Sequence, residues 1–211
     1  MTTADAGAAV RPTITLWESA GSQMEPIALR LAEILEVPIY GQAVSSDDIA
    51  RAFDGETSGA EDLTRLLQSL GPDSAMQAAL SGAELSSLRD QISLNTRAVE
   101  RHARGGGILL GRNGAYILRN WPNVLNVWLD GPEHQRVNRA AELAHLPSEM
   151  AAVRLKLEDD ARVSMSVFSY GYDPRDLEYY DLVVNTCRLD VEHAARLIAA
   201  AAVALRRRLA P

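Results

Sequence analysis

Five short apolar runs alternate with longer stretches of helical period, and this alternation constrains the fold more than any other feature of the chain. The runs are Thr13–Trp17 (TITLW), Val37–Tyr40, the turn and strand GGGILLG from Gly105 to Gly111, Asn123–Leu129 (NVLNVWL) and Asp181–Thr186 (DLVVNT). Each has the length and residue types of a buried strand rather than of a helix. Between Glu25 and Glu36 the residues Ile27, Leu31, Ile34 and Leu35 recur at helical spacing, with Pro26 near the first turn, where its missing N–H matters least. Helical patterns return over Glu133–Ala144, Ser148–Ser164 and Asp190–Leu209; Asp190 is placed to cap the last helix, and Arg206–Arg208 suit its C-terminal dipole. Strand followed by helix, repeatedly, implies an α/β fold with a parallel sheet covered on both faces.

Residues 45–104 break the rhythm. They are polar and helix-rich, over Ser46–Phe53, Ala60–Leu70, Asp73–Leu80 and Ala83–Arg104, with GPDS as a helix-start signal and no strand between them. This block reads as a helical subdomain inserted into one domain that starts at residue 13. The first twelve residues, MTTADAGAAVRP, read as a disordered tail without the basic start and apolar stretch of a signal peptide. No run approaches the roughly 18 apolar residues of a membrane span, and a cytoplasmic location is expected. Apolar residues make up 47% of the 211, enough for a sizeable core, and the net charge of −7 argues against a nucleic-acid partner. Cys187 is the one cysteine, so no internal disulfide forms and a reducing compartment fits.

The stretch WESAGSQMEP, Trp17 to Pro26, lies between the first strand and the first helix. In an α/β protein a phosphate-binding loop sits at that position. This one holds a single glycine, two glutamates and no lysine; the lone lysine of the chain is Lys156.

Two longer stretches carry a family resemblance. GGGILLGRNGAYILRNWPNVLNVWLDGPEHQRVNRAAE and EDDARVSMSVFSYGYDPRDLEYYDLVVNTCRLDVEHAARLI resemble the cytidylate kinase-like family, relatives of the P-loop nucleoside monophosphate kinases. The likeness runs from about Thr13 to Leu197, although residues 45–90 match in helical character alone. It implies a P-loop NTPase-like three-layer fold: a five-stranded parallel sheet, a monophosphate-binding helical insertion over 45–104, and a small lid at about 147–175. It implies ATP with Mg²⁺ as cofactor and a CMP-type nucleotide as ligand. By position, Gly21 and Ser22 fall in the phosphate loop and Arg112 faces the nucleotide cleft. Arg154, Asp159 and Arg162 fall on the lid helix, where relatives place arginines around the transferred phosphate.

The loop departs from the family pattern, which reads like Gly-Ser-Gly-Gly-Arg-Glu. Here the positions hold Gly21, Ser22, Gln23, Met24, Glu25 and Pro26. Glycine permits the positive φ and close approach a phosphate cradle needs, and Gln and Met are poor substitutes. Glu25 replaces an attractive charge by a repulsive one. Two like charges about 4 Å apart cost roughly 1 kcal/mol in water and about 4 kcal/mol at an effective dielectric near 20. Two compensations are conceivable: Lys156 or a lid arginine swings in, or Glu18 and Glu25 hold Mg²⁺.

Other residues invite plainer readings. The four histidines are scattered without metal-ligand spacing, so no metal site is expected. Lys156 reads as an exposed lysine and Cys187 as structural. The segment FSYGYDPRDLEYYD gathers four of six tyrosines and reads as packing around a turn. The leading expectation is a nucleotide-binding protein whose phosphotransfer is weak or lost. An active pyrimidine monophosphate kinase and a non-catalytic interaction module on the same fold are the alternatives. A homodimer through the helical block, or a protein partner, is compatible with the sequence but not specified by it.

Overall fold

The computed structural model describes residues 11–41 and 82–209, with the side chains of 82–88 left aside. In chain order the elements are β1 (Thr13–Glu18), α1 (Met24–Leu35), β2 (Ile39–Tyr40), α2 (Gly82–Gly105), β3 (Gly107–Leu110), α3 (Gly114–Ile117), β4 (Val124–Asp130), α4 (Glu133–Ala144), α5 (Ser148–Tyr170), a single 3₁₀ turn (Leu177–Tyr179), β5 (Leu182–Asn185) and α6 (Val191–Leu209). The helices expected over 46–80 and the N-terminal tail, apart from Arg11 and Pro12, lie outside the described residues.

The five strands form one parallel sheet in the order β2-β3-β1-β4-β5. β1 is central and all six of its residues are buried, the consequence of helices on both faces. Alternation along β1 sends Ile14 and Leu16 into a core with Ile27 and Leu31 of α1 and Ala195 and Ile198 of α6. The alanines of α6 let it approach α1 closely, and Glu192 pairs with Arg30 at 2.5 Å across the seam. On the opposite face Val99 and Ala103 of α2 pack with Leu109, Leu118 and Val124. There Thr15 donates to Asn126 Oδ1 at 2.7 Å, so its buried hydroxyl is satisfied.

Boundaries differ from the sequence reading in instructive places. β2 is two residues long because it is an edge strand that pairs with β3 alone. β1 runs one residue further, to Glu18, with consequences for the loop. The helix expected to end at Ser164 continues to Tyr170 and stops at Gly171, whose φ of 70° gives the left-handed cap that ends many helices. Asp190 caps α6 as expected, accepting from the backbone N–H of His193 at 2.8 Å. The tyrosine-rich segment packs: Tyr116 stacks on Tyr172 with ring centroids 4.5 Å apart, and Tyr172 meets Tyr179 edge-on at 5.0 Å.

Candidate functional site

Residues 19–23 link the C-terminal end of β1 to the start of α1, at the carboxyl ends of the central strands, where open α/β sheets bind ligands. The turn requires positive φ at Gly21 (82°) and at Gln23 (62°). Gln23 therefore adopts, at a cost in strain, the conformation a glycine would take freely. Its side chain is held by Arg139, which donates to Gln23 Oε1 at 3.0 Å and to the carbonyl of Thr186 at 2.9 Å.

The chain's own carboxylates occupy the loop's donors. Glu18, the last residue of β1, folds back so that its Oε2 accepts from the backbone N–H of Met24 at 3.0 Å. A carboxylate at the N-terminus of α1 is where the helix dipole favours it. Asp159 reaches in from α5 and accepts from the N–H of Ala20 at 2.6 Å. The N–H of Ser22 turns inward to Ser19 O at 3.1 Å. Arg162 donates to Glu18 Oε1 at 3.2 Å and to Glu158 at 2.5 Å. Arg136, from α4, donates to Ala20 O at 2.6 Å and pairs with Asp159 at 3.3 Å.

Burial sets the electrostatics of this network. Desolvation pushes the Glu18 carboxyl above its ordinary value, the Arg162 guanidinium and the Met24 N–H pull the other way, and the neighbouring Glu158 and Asp159 charges add to the upward push. Asp159 is raised for the same first reason, against the Ala20 N–H and the guanidiniums of Arg136 and Arg162.

As arranged, these residues do not fit a nucleoside triphosphate. Glu18 and Asp159 already hold the backbone amides of Met24 and Ala20, at the two ends of the loop, and Pro26 has no N–H to offer. Glu25 adds a negative charge at the first turn of α1. The direction a Cβ would take from Gly21 is occupied: it would lie 3.0 Å from Leu155 Cδ2 and 3.2 Å from the Arg136 carbonyl. Ser22 is fully buried, its hydroxyl without a hydrogen-bond partner among the described residues. Glu18 is committed to Arg162 and Met24, and no group of three or more His, Cys, Asp or Glu among the described residues is placed to hold a metal ion. Lys156 points to Asp160, 2.6 Å away on the exposed side of α5.

A cleft of about 280 Å³ opens beside the loop, between the start of α1 and the α4–α5 pair, and Gly21, Glu18, Glu158 and Arg154 line it. The structure thus brings Gly21, Arg154, Asp159 and Arg162 together, with Asp159 and Arg162 engaged by the loop itself. Arg112 stands apart from this cleft, past the end of β3. There Gly111, Arg112 and Asn113 form three successive left-handed residues, φ 60°, 55° and 57°. Such a run is strained for the two non-glycine residues and persists because it is held from outside. Asn95 of α2 donates to the Arg112 carbonyl at 3.0 Å, Ser166 and Tyr172 donate to Asn113 Oδ1 at 2.6 and 3.1 Å, and Arg112 Nε donates to the Gly41 carbonyl. Sequence reasoning missed Arg136, Arg139 and Leu155; the signal available was the arginine pair of HQRVNRAA, one helical turn past the end of β4.

The fold and the loop position define a P-loop kinase-like α/β protein. The model of the cytidylate kinase-like family matches residues 13–188. The chain belongs to that family. Among curated proteins it is 34% identical over 126 residues to a uronate isomerase of Corynebacterium glutamicum, covering 60% of this chain and 24% of that protein. It is 27% identical over 108 residues to a cytidylate kinase of Pyrococcus horikoshii, covering 51% of this chain and 55% of the relative. The chain thus spans a quarter of the first relative and just over half of the second. A solved structure of an uncharacterized protein from Eubacterium ventriosum superposes with a TM-score of 0.62 at 18% identity, over 92% of this chain and 99% of that one, a likeness of fold. Among the described residues no helix is long and apolar enough to cross a membrane.

Proposed function

We propose that this chain is a nucleotide-binding, non-phosphotransferring member of the cytidylate kinase-like family, which takes a nucleoside monophosphate on the Arg112 side and no triphosphate at the loop. The observation that carries the reading is the pair of internal carboxylates, Glu18 on the Met24 N–H and Asp159 on the Ala20 N–H. Phosphoryl transfer is catalysed by positioning the donor and neutralising its charge. In this reading neither is available at residues 19–25, so ATP and Mg²⁺ have no seat there, and Asp159 and Arg162 hold the loop rather than a moving phosphate, with Arg154 on the wall of the cleft beside it.

Arg112 supports the monophosphate side. It sits at a strand C-terminus in a strained turn braced by three other elements, an arrangement typical of ligand clamps. His102, disfavoured as a cation first by desolvation, is held further below its ordinary value by Arg101 and Arg112. Titration with CMP in the absence of ATP is expected to give saturable heat that Arg112→Ala abolishes, while mixed ATP, Mg²⁺ and CMP give no ADP. Turnover above background, or CMP affinity indifferent to Arg112→Ala, overturns the reading.

A further inference from the structure

The turn that carries Arg112 is held from the far end of α5. Asn113 Oδ1 accepts from the Ser166 hydroxyl at 2.6 Å and from the Tyr172 hydroxyl at 3.1 Å. Ser166 and Tyr172 are 4% and 5% exposed, so solvent offers no ready substitute for either contact. The Ser166 hydroxyl has one proton and a second acceptor, the Arg162 carbonyl one turn back at 3.0 Å; the contact to Asn113 is the shorter. Burial pushes the Tyr172 hydroxyl above its ordinary pKa, so it stays protonated and remains a donor.

The residue before Asn113 is tied to the same helix by a second route. Asn95 Nδ2 donates to the Arg112 carbonyl at 3.0 Å and to the Tyr170 hydroxyl at 2.9 Å. Tyr170 is the last residue of α5, and its hydroxyl also lies 3.1 Å from that of Thr96 on α2. Arg112 and Asn113, at φ 55° and 57°, thus keep a left-handed conformation that few non-glycine residues adopt because α5 and the residues after it are in place.

We propose that Ser166 and Tyr172 are positioning residues for the monophosphate. By holding Asn113 they fix the backbone from which Arg112 reaches the phosphate group, and they act through that turn rather than by touching the ligand. The inference rests on the reading that Arg112 takes a monophosphate. A turn that has lost a hydroxyl spends part of its time in other conformations, and apparent affinity falls with the fraction that remains competent. Because Arg112 meets the phosphate, the loss falls on ligands that carry one and spares those that do not.

The test uses the full chain and two probes that differ by the phosphate alone, CMP and cytidine, followed by ligand-observed NMR into the millimolar range. The parent is expected to bind CMP at least about tenfold more tightly than cytidine, as a charge-assisted contact does. Ser166→Ala and Tyr172→Phe each weaken CMP about three- to tenfold, the scale of one hydrogen bond, and leave cytidine unchanged. A variant that was merely less well folded would lose both ligands alike. Tyr172→Phe, which removes one oxygen atom and keeps the ring, carries the test if Ser166→Ala does not fold. An unchanged CMP preference in the variants, or an equal loss for CMP and cytidine, overturns the inference while the Arg112-dependent preference of the parent stands. A parent that binds CMP no more tightly than cytidine, or whose preference survives Arg112→Ala, overturns the monophosphate reading and the inference with it.

Discussion

Glu18 is the residue on which the loop turns. As the last residue of β1 it is buried, it caps α1 through Met24, and it shares Arg162 with Glu158. Glu18→Ala leaves a buried N–H without its acceptor and is expected to cost about 1–3 kcal/mol of stability in urea denaturation. Glu18→Gln keeps an acceptor for that N–H and is expected to stay within about 1 kcal/mol of the parent. The pH dependence has an unusual sign. Glu18 and Asp159 are raised above their ordinary carboxyl values in the folded state. Between the ordinary and the raised value the native state binds more protons than the unfolded chain, so their contribution to stability falls as pH rises through that window. Below the ordinary values both states are protonated and the contribution is flat; above the raised ones the full penalty is present. The stability of Glu18→Gln relative to the parent should therefore improve as pH rises across the window, and an advantage that shrinks over the same range contradicts the account.

At the scale of elements, the helices and strands were legible because their signals are local. Ile27 and Leu31 announce α1 by spacing and TITLW announces β1 by residue type, whereas α5 runs six residues past the Ser164 expected from its pattern, to the left-handed Gly171. The cap of α1 shows what locality leaves over. Glu36 sits there at φ 53°, exposed, donating its N–H to the Ala32 carbonyl. A left-handed conformation costs a non-glycine residue roughly 1–2 kcal/mol, so Glu36→Gly is expected to raise stability by up to about 1 kcal/mol, read from the denaturation midpoint. The α4–α5 pair is tied to the loop by apolar contact as well as charge: Leu155 packs with Ala20, Val137, Ala141 and Ala151. Leu155→Ala should cost about 2–5 kcal/mol through the cavity it leaves. Loss of less than 1 kcal/mol in the same experiment would mean that α5 is not seated on the loop.

For the whole molecule, the sequence disclosed that the loop is poor in glycine and wrong in charge, and it placed Arg154, Asp159 and Arg162 near the loop through family resemblance. It did not disclose which groups of the chain hold the loop's amides. That answer is tertiary: Asp159 lies 139 positions from the amide it accepts from, and Arg136 lies 116 positions from the carbonyl it binds. No window of local sequence contains such a pairing. Two sides of one sheet then carry opposite chemistry. On the loop side the chain's own carboxylates hold the Met24 and Ala20 amides, while on the other side Arg112 sits in a turn braced by Asn95, Ser166 and Tyr172. The most direct measurement of this division is calorimetric titration of the purified protein with ATP, with and without Mg²⁺. The account predicts no saturable heat up to millimolar ATP in either condition. Micromolar binding that requires Mg²⁺ would show that the loop gives up its carboxylates to a triphosphate, and would contradict it.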